Sequence, residues 1–506
     1  MTAVREHDAV EAPVSPLAAK VTKIKWPIVV AGLMLAVAAF FLLPDSLSLQ
    51  ARGVAAIGIL MATWWMTEAV PLEVTSLLPL VLFPITGVAD IGAAAAPYAN
   101  NVIYLVLGGV ILGLATQRWN LHRRVALLII LAVGTRPSQI VFGLMLASAL
   151  ITMWVSNTAT AVIMVPIGGA ILALINSLEN SKVTPKLAAS MLLGIAYAVT
   201  IGSMGTLIGQ PPMALMKAYL ADNYEITVGF GQWMLVGVPF AAFMLATAWL
   251  VLTKIVFRSE VDEIPGGKEI MREELRKLGG LTSQEKRVIA IFAGAAFCWI
   301  FLPFIAKIPA VATAVPFAAN FNDTSIAVLA ALLVFVVPGD KPKNGPLLEW
   351  SATKEVPWGL LLLFGGGLSL SAQVTATGLS EWIGNSVSGL ADVPPIILIL
   401  IIVIILLAIT EMTSNTATAA AFMPIMASVG VGVGIDPLVM AITVTLAVSG
   451  AYMLPVGTPS NAVAFAAGGV SIKSMVRGGI WLNIVSIVMI PVVLMTLVPF
   501  VFGVGV

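Results

Sequence analysis

The chain has 506 residues, of which 59% are hydrophobic and only 10% charged, with a formal net charge of +1. A soluble globular protein carries roughly 25% charged residues, and a single buried core of this size is improbable on surface-to-volume grounds. The solvent for most of this surface is therefore lipid, and neither the charge nor any basic stripe interleaved with aromatics points to a nucleic-acid partner.

In chain order, residues 1–25 form a polar tail without the apolar core and small-residue cleavage site of a signal peptide. The first helix, within 26–52, is expected to stay as an anchor. Runs near the ~20 residues that span a bilayer are expected at 26–43, 53–70, 72–89, 101–117, 188–219, 232–257, 286–305, 323–338, 358–375, 438–468 and 479–503. Two further apolar stretches, 138–177 and 393–434, each carry a polar Ser-Asn-Thr tripeptide near the middle. A continuous crossing helix fits them poorly. A helix, a polar turn and a returning helix fit better, as a re-entrant hairpin whose non-helical tip is buried in protein.

Charge placement tests this topology. With the N-terminus cytoplasmic and neither hairpin crossing, the inner segments collect Lys20, Lys23, Lys25, Arg118, Arg123, Arg124, Arg136, Lys182, Lys186, Lys341, Lys343, Lys354, Lys473 and Arg477. The outer segments keep mostly acids. That bias predicts eleven crossings with the C-terminus outside. The expected fold is an all-α polytopic membrane protein of about 11 transmembrane helices plus two hairpins. Its repeats are 53–257 and 286–506, joined by a polar cytoplasmic linker, 258–285. The linker reads as a surface-lying amphipathic helix or as a solvated connection.

The repeat is visible in three places. YLVLGGVILGLATQ (104–117) resembles LLLFGGGLSLSAQ (361–373); SNTATAVIMVP begins at Ser156 and SNTATAAAFMP at Ser414; GSMGTLIGQPP (202–212) parallels GAYMLPVGTPS (450–460). Glycine and proline this dense in an apolar segment predict an unwound loop in a discontinuous helix. Five crossings separate equivalent elements, so the repeats are expected to be inverted, with the two tips and two loops meeting near the midplane.

Broken helices leave unpaired carbonyls at their C-terminal ends and unpaired amides at their N-terminal ends. Carbonyls with Ser, Thr and Asn oxygens make a hard site suited to Na+, and amide donors suit an anion. The blander role of Ser-Asn-Thr is to cap the second hairpin arm. No Lys, Arg or His lies near either tripeptide or either loop core. A helix dipole offers only about half a charge, so mobile cations would complete the compensation of an anion, a design for cation-coupled uptake. Glu411, three residues before the second tripeptide, is either a structural brace or a proton-coupling carboxylate. Glu68 and Glu73, around Pro71, read as helix termination and interhelical pairing. One cysteine, Cys298, and two histidines, His7 and His122, leave no disulfide framework or Cys/His metal cluster.

The paired tripeptides, WMTEAVPLEVTSLLPLVLFPITGV (65–88), TEMTSNTATAAAFMPI (410–425) and YMLPVGTPSNAVAF (452–465) resemble the divalent anion:sodium symporter family over about 50–485. The resemblance implies a plasma-membrane homodimer whose protomers each hold a scaffold and a transport domain that moves as an elevator. One sodium site would use Thr152, Ser156, Asn157 and a carbonyl of the Gly202–Gly205 loop; the other would use Thr410, Thr413, Asn415 and the Gly457 carbonyl. Substrate carboxylates would meet Ser156, Asn157, Thr158, Ser414, Asn415 and Thr416, with Thr458 and Pro459 at the edge. The chain departs from the family pattern at Gln210, Met213 and Ser460.

Within the resemblance, threonine as third member of both motifs favours a C4-dicarboxylate such as succinate, fumarate or malate. The absence of basic residues favours sodium coupling over a sodium-independent exchanger. Citrate and sulfate are the alternative cargoes. A passive channel suits the pairing of tip and unwound loop less well. Neither a catalytic constellation nor a phosphate-binding GxxxxGK[ST] loop is found, which argues against a membrane enzyme or an ATP-driven pump. No organic cofactor is implied.

Overall fold

The computed structural model describes residues 24–134, 136–177, 184–258, 272–273, 275–339, 345–390 and 392–505. Most of the polar tail lies outside them, as do residues 259–271 and 274 of the 258–285 linker, which include much of the segment read as an amphipathic surface helix.

The described chain is helical, with one isolated bridge between Pro338 and Pro346. In order, the helices are α1 (Trp26–Leu42), α2 (Leu49–Thr67), α3 (Leu72–Thr75), α4 (Leu78–Thr86), α5 (Ile91–Ala95), α6 (Asn101–Arg118), α7 (Leu121–Val133), α8 (Pro137–Thr152), α9 (Asn157–Ser177), α10 (Pro185–Ser203), α11 (Pro211–Tyr224) and α12 (Phe230–Leu250). After the linker come α13 (Ser283–Ile305), α14 (Pro309–Ala314), α15 (Asp323–Val336), α16 (Trp358–Ala376), α17 (Leu379–Ser386), α18 (Pro395–Thr410), α19 (Asn415–Gly432), α20 (Pro437–Val448), α21 (Pro459–Ala466) and α22 (Ile472–Phe502).

Among the described residues, six helical segments are long and apolar enough to cross a membrane: 91–118, Pro185–Ser203, Phe230–Val256, Ser283–Ile305, Trp358–Ala376 and Ile472–Phe502. Shorter apolar helices accompany them. The surface of α13 is largely exposed and apolar, as suits a helix solvated by lipid.

Three expected spans are broken. The 188–219 run divides into α10 and α11, and 438–468 into α20 and α21. The breaks fall in glycine-containing segments, 204–210 and 449–458, and Pro211, Pro212 and Pro459 suit the first turn of the helix that follows. The 72–89 run splits into α3 and α4 around Ser76 and Leu77. Glu68, at φ 47°, ends α2 in the left-handed region, the terminating role expected of it.

Four helices fall outside the expected spans: the short α5 and α14, and also α7 and α17. α7 and α17 each follow a left-handed residue, Asn120 at φ 52° and Gly378 at φ 76°. Each turns the chain between a long helix and a hairpin: α6–α7–α8/α9 in the first half, α16–α17–α18/α19 in the second. The same element order then continues through α10/α11 and α20/α21.

Between lipid-solvated helices the hydrophobic effect is weak, and close contact of small residues replaces it. α8 and α10 meet at Gly202, where an added Cβ would sit 2.4 Å from Ala149 Cα. α17 meets α19 at Gly384 and Gly432, and a Cβ on Gly432 would lie 2.2 Å from the Gly384 carbonyl oxygen. The packing that positions the site is crossed. α21, from the second half, packs on α9 of the first hairpin, while α11, from the first half, packs on α19 of the second.

Candidate functional site

Each hairpin turns on four residues, 153–156 and 411–414, between a helix ending in threonine and one beginning with asparagine. Thr152 and Asn157 are therefore five residues apart, as are Thr410 and Asn415. The geometry repeats: Thr152 Oγ1 donates to Asn157 Oδ1 at 2.8 Å, and Thr410 Oγ1 lies 2.6 Å from Asn415 Oδ1. Both threonines are fully buried. Each hydroxyl closes its turn against the first residue of the returning arm.

The serines do what their place at a helix start favours. Ser156 Oγ accepts from the Ala159 amide at 3.4 Å, and Ser414 Oγ from the Ala417 amide at 3.5 Å. Capping is thus a real role of the tripeptide, held by its serine. Thr158 is exposed and Thr416 half-buried, and the side chains of both are without a hydrogen bond among the described residues.

The broken helices hold the hairpins. In the first half, Asn157 Nδ2 donates to Ser203 Oγ at 3.3 Å, in the last turn of α10. Thr206 donates its hydroxyl to the Met153 carbonyl and accepts from the Gly209 amide at 3.1 Å, pinning the 204–210 loop to the hairpin turn. Gly202 and Gly205 are both buried; the Gly205 amide donates to the Gly202 carbonyl at 2.9 Å. Met213 is fully buried, whereas Gln210 Oε1 lies 3.2 Å from Ser203 Oγ.

In the second half, Thr410 Oγ1 also lies 2.6 Å from the Val448 carbonyl at the end of α20. Thr413 belongs to a neighbouring network. Its hydroxyl meets the Ile409 carbonyl at 2.9 Å and Thr418 Oγ1 at 2.7 Å, apart from the Thr410–Asn415 pair. Gly457 is buried against Glu411 and Ala451. Thr458, 2% exposed, caps α21 through the Asn461 amide at 3.2 Å, and Pro459 is exposed beside it.

Glu411 is buried at 2% exposure and serves as a brace. Its carboxylate accepts from the amides of Tyr452 (2.8 Å), Met453 (2.9 Å) and Leu454 (3.2 Å) and from Asn483 Nδ2 (2.7 Å). The unwound 449–458 segment is wrapped around one charge. Asn461 Nδ2 secures the same segment through the Leu454 carbonyl at 3.0 Å.

Ser203, Asn461, Asn483 and the Thr200–Ser460 contact are the functional neighbours that sequence reasoning passed over. Ser203 and Ser460 lie inside the quoted motifs. Asn483, in the mostly apolar α22, carries only the signal of a polar residue in an apolar stretch.

The arrangement is a neutral oxygen-rich centre at which four helices begin: α9, α11, α19 and α21. Glu411 is the one charged residue within 152–158, 202–213, 410–418 and 449–461, and its carboxylate is consumed by the loop it holds. Hydroxyls, amide oxygens and loop carbonyls suit a hard monovalent cation.

Comparison with known proteins places the chain in a family. The family described as "Sodium:sulfate symporter transmembrane region" matches residues 22–504. The chain is 40% identical over 468 residues to the sodium-dependent dicarboxylate transporter SdcS of Staphylococcus saprophyticus, spanning 92% of this chain and 89% of that protein. It is 39% identical over 471 residues to the SdcS of Staphylococcus aureus, with the same shares of each chain. Among solved structures, the Alcanivorax borkumensis YdaH transporter superposes with a TM-score of 0.60 at 15% identity, covering 88% of this chain and 98% of that one. Neisseria gonorrhoeae MtrF follows at 0.53 and 15%, covering 90% and 96%. At that identity the structural likeness shows the fold alone. The chain belongs to the sodium:sulfate symporter family and is a multi-pass membrane transporter rather than an enzyme.

Proposed function

We propose that this protein imports a divalent organic anion, a C4-dicarboxylate such as succinate, fumarate or malate, together with several Na+, by elevator-type alternating access. The observation that carries the reading is the duplicated Thr–Asn pair, one on each hairpin, beside an unwound loop and without a basic side chain. The dicarboxylate named for the SdcS relatives supports the substrate class.

In this reading Thr152, Ser156, Asn157 and the Gly202–Gly205 loop hold one Na+, and Thr410, Thr413, Asn415 and Gly457 a second. The dianion lies between the tips, met by Ser156, Asn157, Thr158, Ser414, Asn415 and Thr416, with Thr458 and Pro459 at its edge. The reason for coupling is electrostatic. A dianion near the midplane exceeds what helix N-termini of about half a charge each can balance, so cations bound alongside make the loaded centre cheaper to move than one holding the anion alone.

The membrane arrangement proposed with it has eleven crossings and two re-entrant hairpins in inverted repeats. The N-terminus is cytoplasmic, the C-terminus outside, and the molecule a homodimer. The crossed packing of α21 on α9 and α11 on α19 supports one site shared by both halves.

Protein reconstituted into liposomes is expected to accumulate radiolabelled succinate under an inward Na+ gradient and not when choline replaces Na+. Uptake indifferent to that replacement would refute the coupling, and uptake driven only by substrate preloaded on the other side would mark an exchanger.

A further inference from the structure

We propose that Gln210 is a positioning residue for the first hairpin's cation site, acting through Ser203 on Asn157. The inference rests on the Na+-coupled reading above. Gln210 and Thr458 open the second pieces of the two broken helices with matching backbones, φ −145° and ψ 141° against φ −143° and ψ 151°. Proline follows each. Thr458 uses its hydroxyl to cap Asn461. Gln210 makes no side-chain cap; its longer side chain turns back across the loop, and its Oε1 lies 3.2 Å from Ser203 Oγ, whose one hydroxyl proton it shares with the Thr200 carbonyl at 2.8 Å.

Ser203 Oγ in turn accepts from Asn157 Nδ2 at 3.3 Å, and Asn157 Oδ1 accepts from Thr152 at 2.8 Å. Thr152, Asn157, Ser203 and Gln210 thus form one chain from the hairpin to the start of α11. Gln210 is 4% exposed, so water competes little for its amide, and a buried amide that loses its partner is costly. With its NH2 group tied to Ser203, Asn157 has one fixed amide orientation. Its oxygen keeps a lone pair beyond the Thr152 bond for a cation.

The second half lacks this link. Asn415 Oδ1 is held by Thr410, but among the described residues Asn415 Nδ2 has no hydrogen-bond acceptor. Thr458 Oγ1 faces Ser460 at 3.1 Å instead of a hairpin residue. Pro211 and Pro212 also deprive the first turn of α11 of two amide donors, where α21 keeps the N–H of Ser460. The two tripeptides therefore divide the work. The first presents a fixed oxygen to Na+, and the second leaves an NH2 group free for a substrate carboxylate.

The test is Na+ affinity in the full-length protein. It is read by Na+-dependent thermal shift in detergent and by the Na+ dependence of succinate uptake in proteoliposomes. Gln210→Ala and Ser203→Ala should each raise the half-maximal Na+ concentration about tenfold, as loss of an outer-shell partner does. The double variant should lose little more than either single one, because both break the same chain. Gln210→Met, which keeps the volume and loses the amide, should behave as Gln210→Ala does and so separates the hydrogen bond from packing. Gln210→Thr should also fail to restore Na+ affinity, because its hydroxyl caps Met213 and cannot reach Ser203. Rescue by threonine, additive losses, or an unshifted Na+ midpoint overturns the proposal. A parent protein whose uptake runs equally in choline overturns the Na+-coupled reading as well, a result distinct from a Na+-dependent parent with unshifted variants.

Discussion

Thr200 Oγ1 lies 3.1 Å from Ser460 Oγ, 260 residues away in sequence, and joins the first half's broken helix to the second's. Both residues are fully buried. The two hydroxyls have few partners besides each other, since Thr200 otherwise bonds back to the Ala196 carbonyl at 3.3 Å and Ser460 meets Thr458. Interhelical hydrogen bonds in membrane proteins average about 0.6 kcal/mol and reach about 1.7 kcal/mol. A double-mutant cycle with Thr200→Val and Ser460→Ala, read by thermal unfolding in detergent, should return a coupling energy in that range. Strictly additive variants would mean that the contact holds nothing together.

Thr152→Val and Thr410→Val each delete one hydroxyl at constant shape. Both leave an Asn oxygen without its internal donor, exposed to whatever enters the site. We expect each to weaken Na+ activation of uptake by about tenfold or more, on the scale of losing a supporting partner of a metal ligand. The Thr410 variant should also loosen the end of α20, because the same hydroxyl lies against the Val448 carbonyl. Its melting temperature should therefore fall further than that of Thr152→Val. Wild-type Na+ activation in both variants would detach the Thr–Asn pairs from ion binding.

Glu411→Gln tests the brace. The carboxylate accepts from three successive backbone amides and Asn483, and an amide side chain turns one acceptor into a donor facing donors. Hydrogen bonds to a charged group are worth about 1.5–3 kcal/mol each, so the variant should lose at least that much stability and unwind the 449–458 segment further. Limited proteolysis and thermal melting read this directly. A variant that melts like the parent and fails only in transport would shift Glu411 from brace to coupling residue.

How much of this was legible in the sequence follows the range of the interactions. Proline at 211, 212 and 459 suits the start of a helix by local chemistry, and a polar tripeptide in an apolar run marks a turn for the same reason, so tips and loops could be placed without coordinates. α7 and α17 were not legible as helices. Asn120 and Gly378 adopt a left-handed conformation that residue type only permits. The crossed seating of α11 on α19 and of α21 on α9, and the reach of Gln210 to Ser203, are choices of tertiary packing that no periodicity records. The resemblance groups Thr413 with Asn415, and in the turn Thr413 also faces Thr418 Oγ1 at 2.7 Å, a contact the motif does not record.

The close helix contacts give a sharper mutational test than the apolar core does. At Gly202 the α8 backbone leaves no room for a methyl group, and the obstruction is backbone rather than a yielding side chain. Overpacking costs about 1–3 kcal/mol, so Gly202→Ala should lower the melting temperature and disturb the neighbouring Ser203–Asn157 contact. Gly169, with nothing within 4 Å of its would-be Cβ, is the internal control, and Gly169→Ala should melt like the parent. Equal effects at the two positions would mean that helix propensity and not contact decides.

Arg124 and Glu285 make the last case, because they tie α7 to the start of α13 across the linker. Arg124 Nε donates to Glu285 Oε1 at 2.8 Å, and its guanidinium also meets the carbonyls of Leu278 (3.2 Å), Gly279 (2.9 Å) and Gly280 (3.3 Å). Glu285 further accepts from the Thr282 amide at 2.8 Å, closing the capping box of α13. Both side chains are largely buried, and removing one partner of a buried pair costs about 3–5 kcal/mol, because the other charge stays behind uncompensated. Arg124→Ala should therefore destabilise more than the double replacement Arg124→Met with Glu285→Gln, which leaves no stranded charge and keeps an acceptor for the capping box. Arg124→Lys should fall short of the parent, since an ammonium cannot reach a carboxylate and three carbonyls at once. The order of melting temperatures decides it: a double variant less stable than Arg124→Ala would show that the Glu285 carboxylate matters more for the capping box of α13 than as a stranded charge.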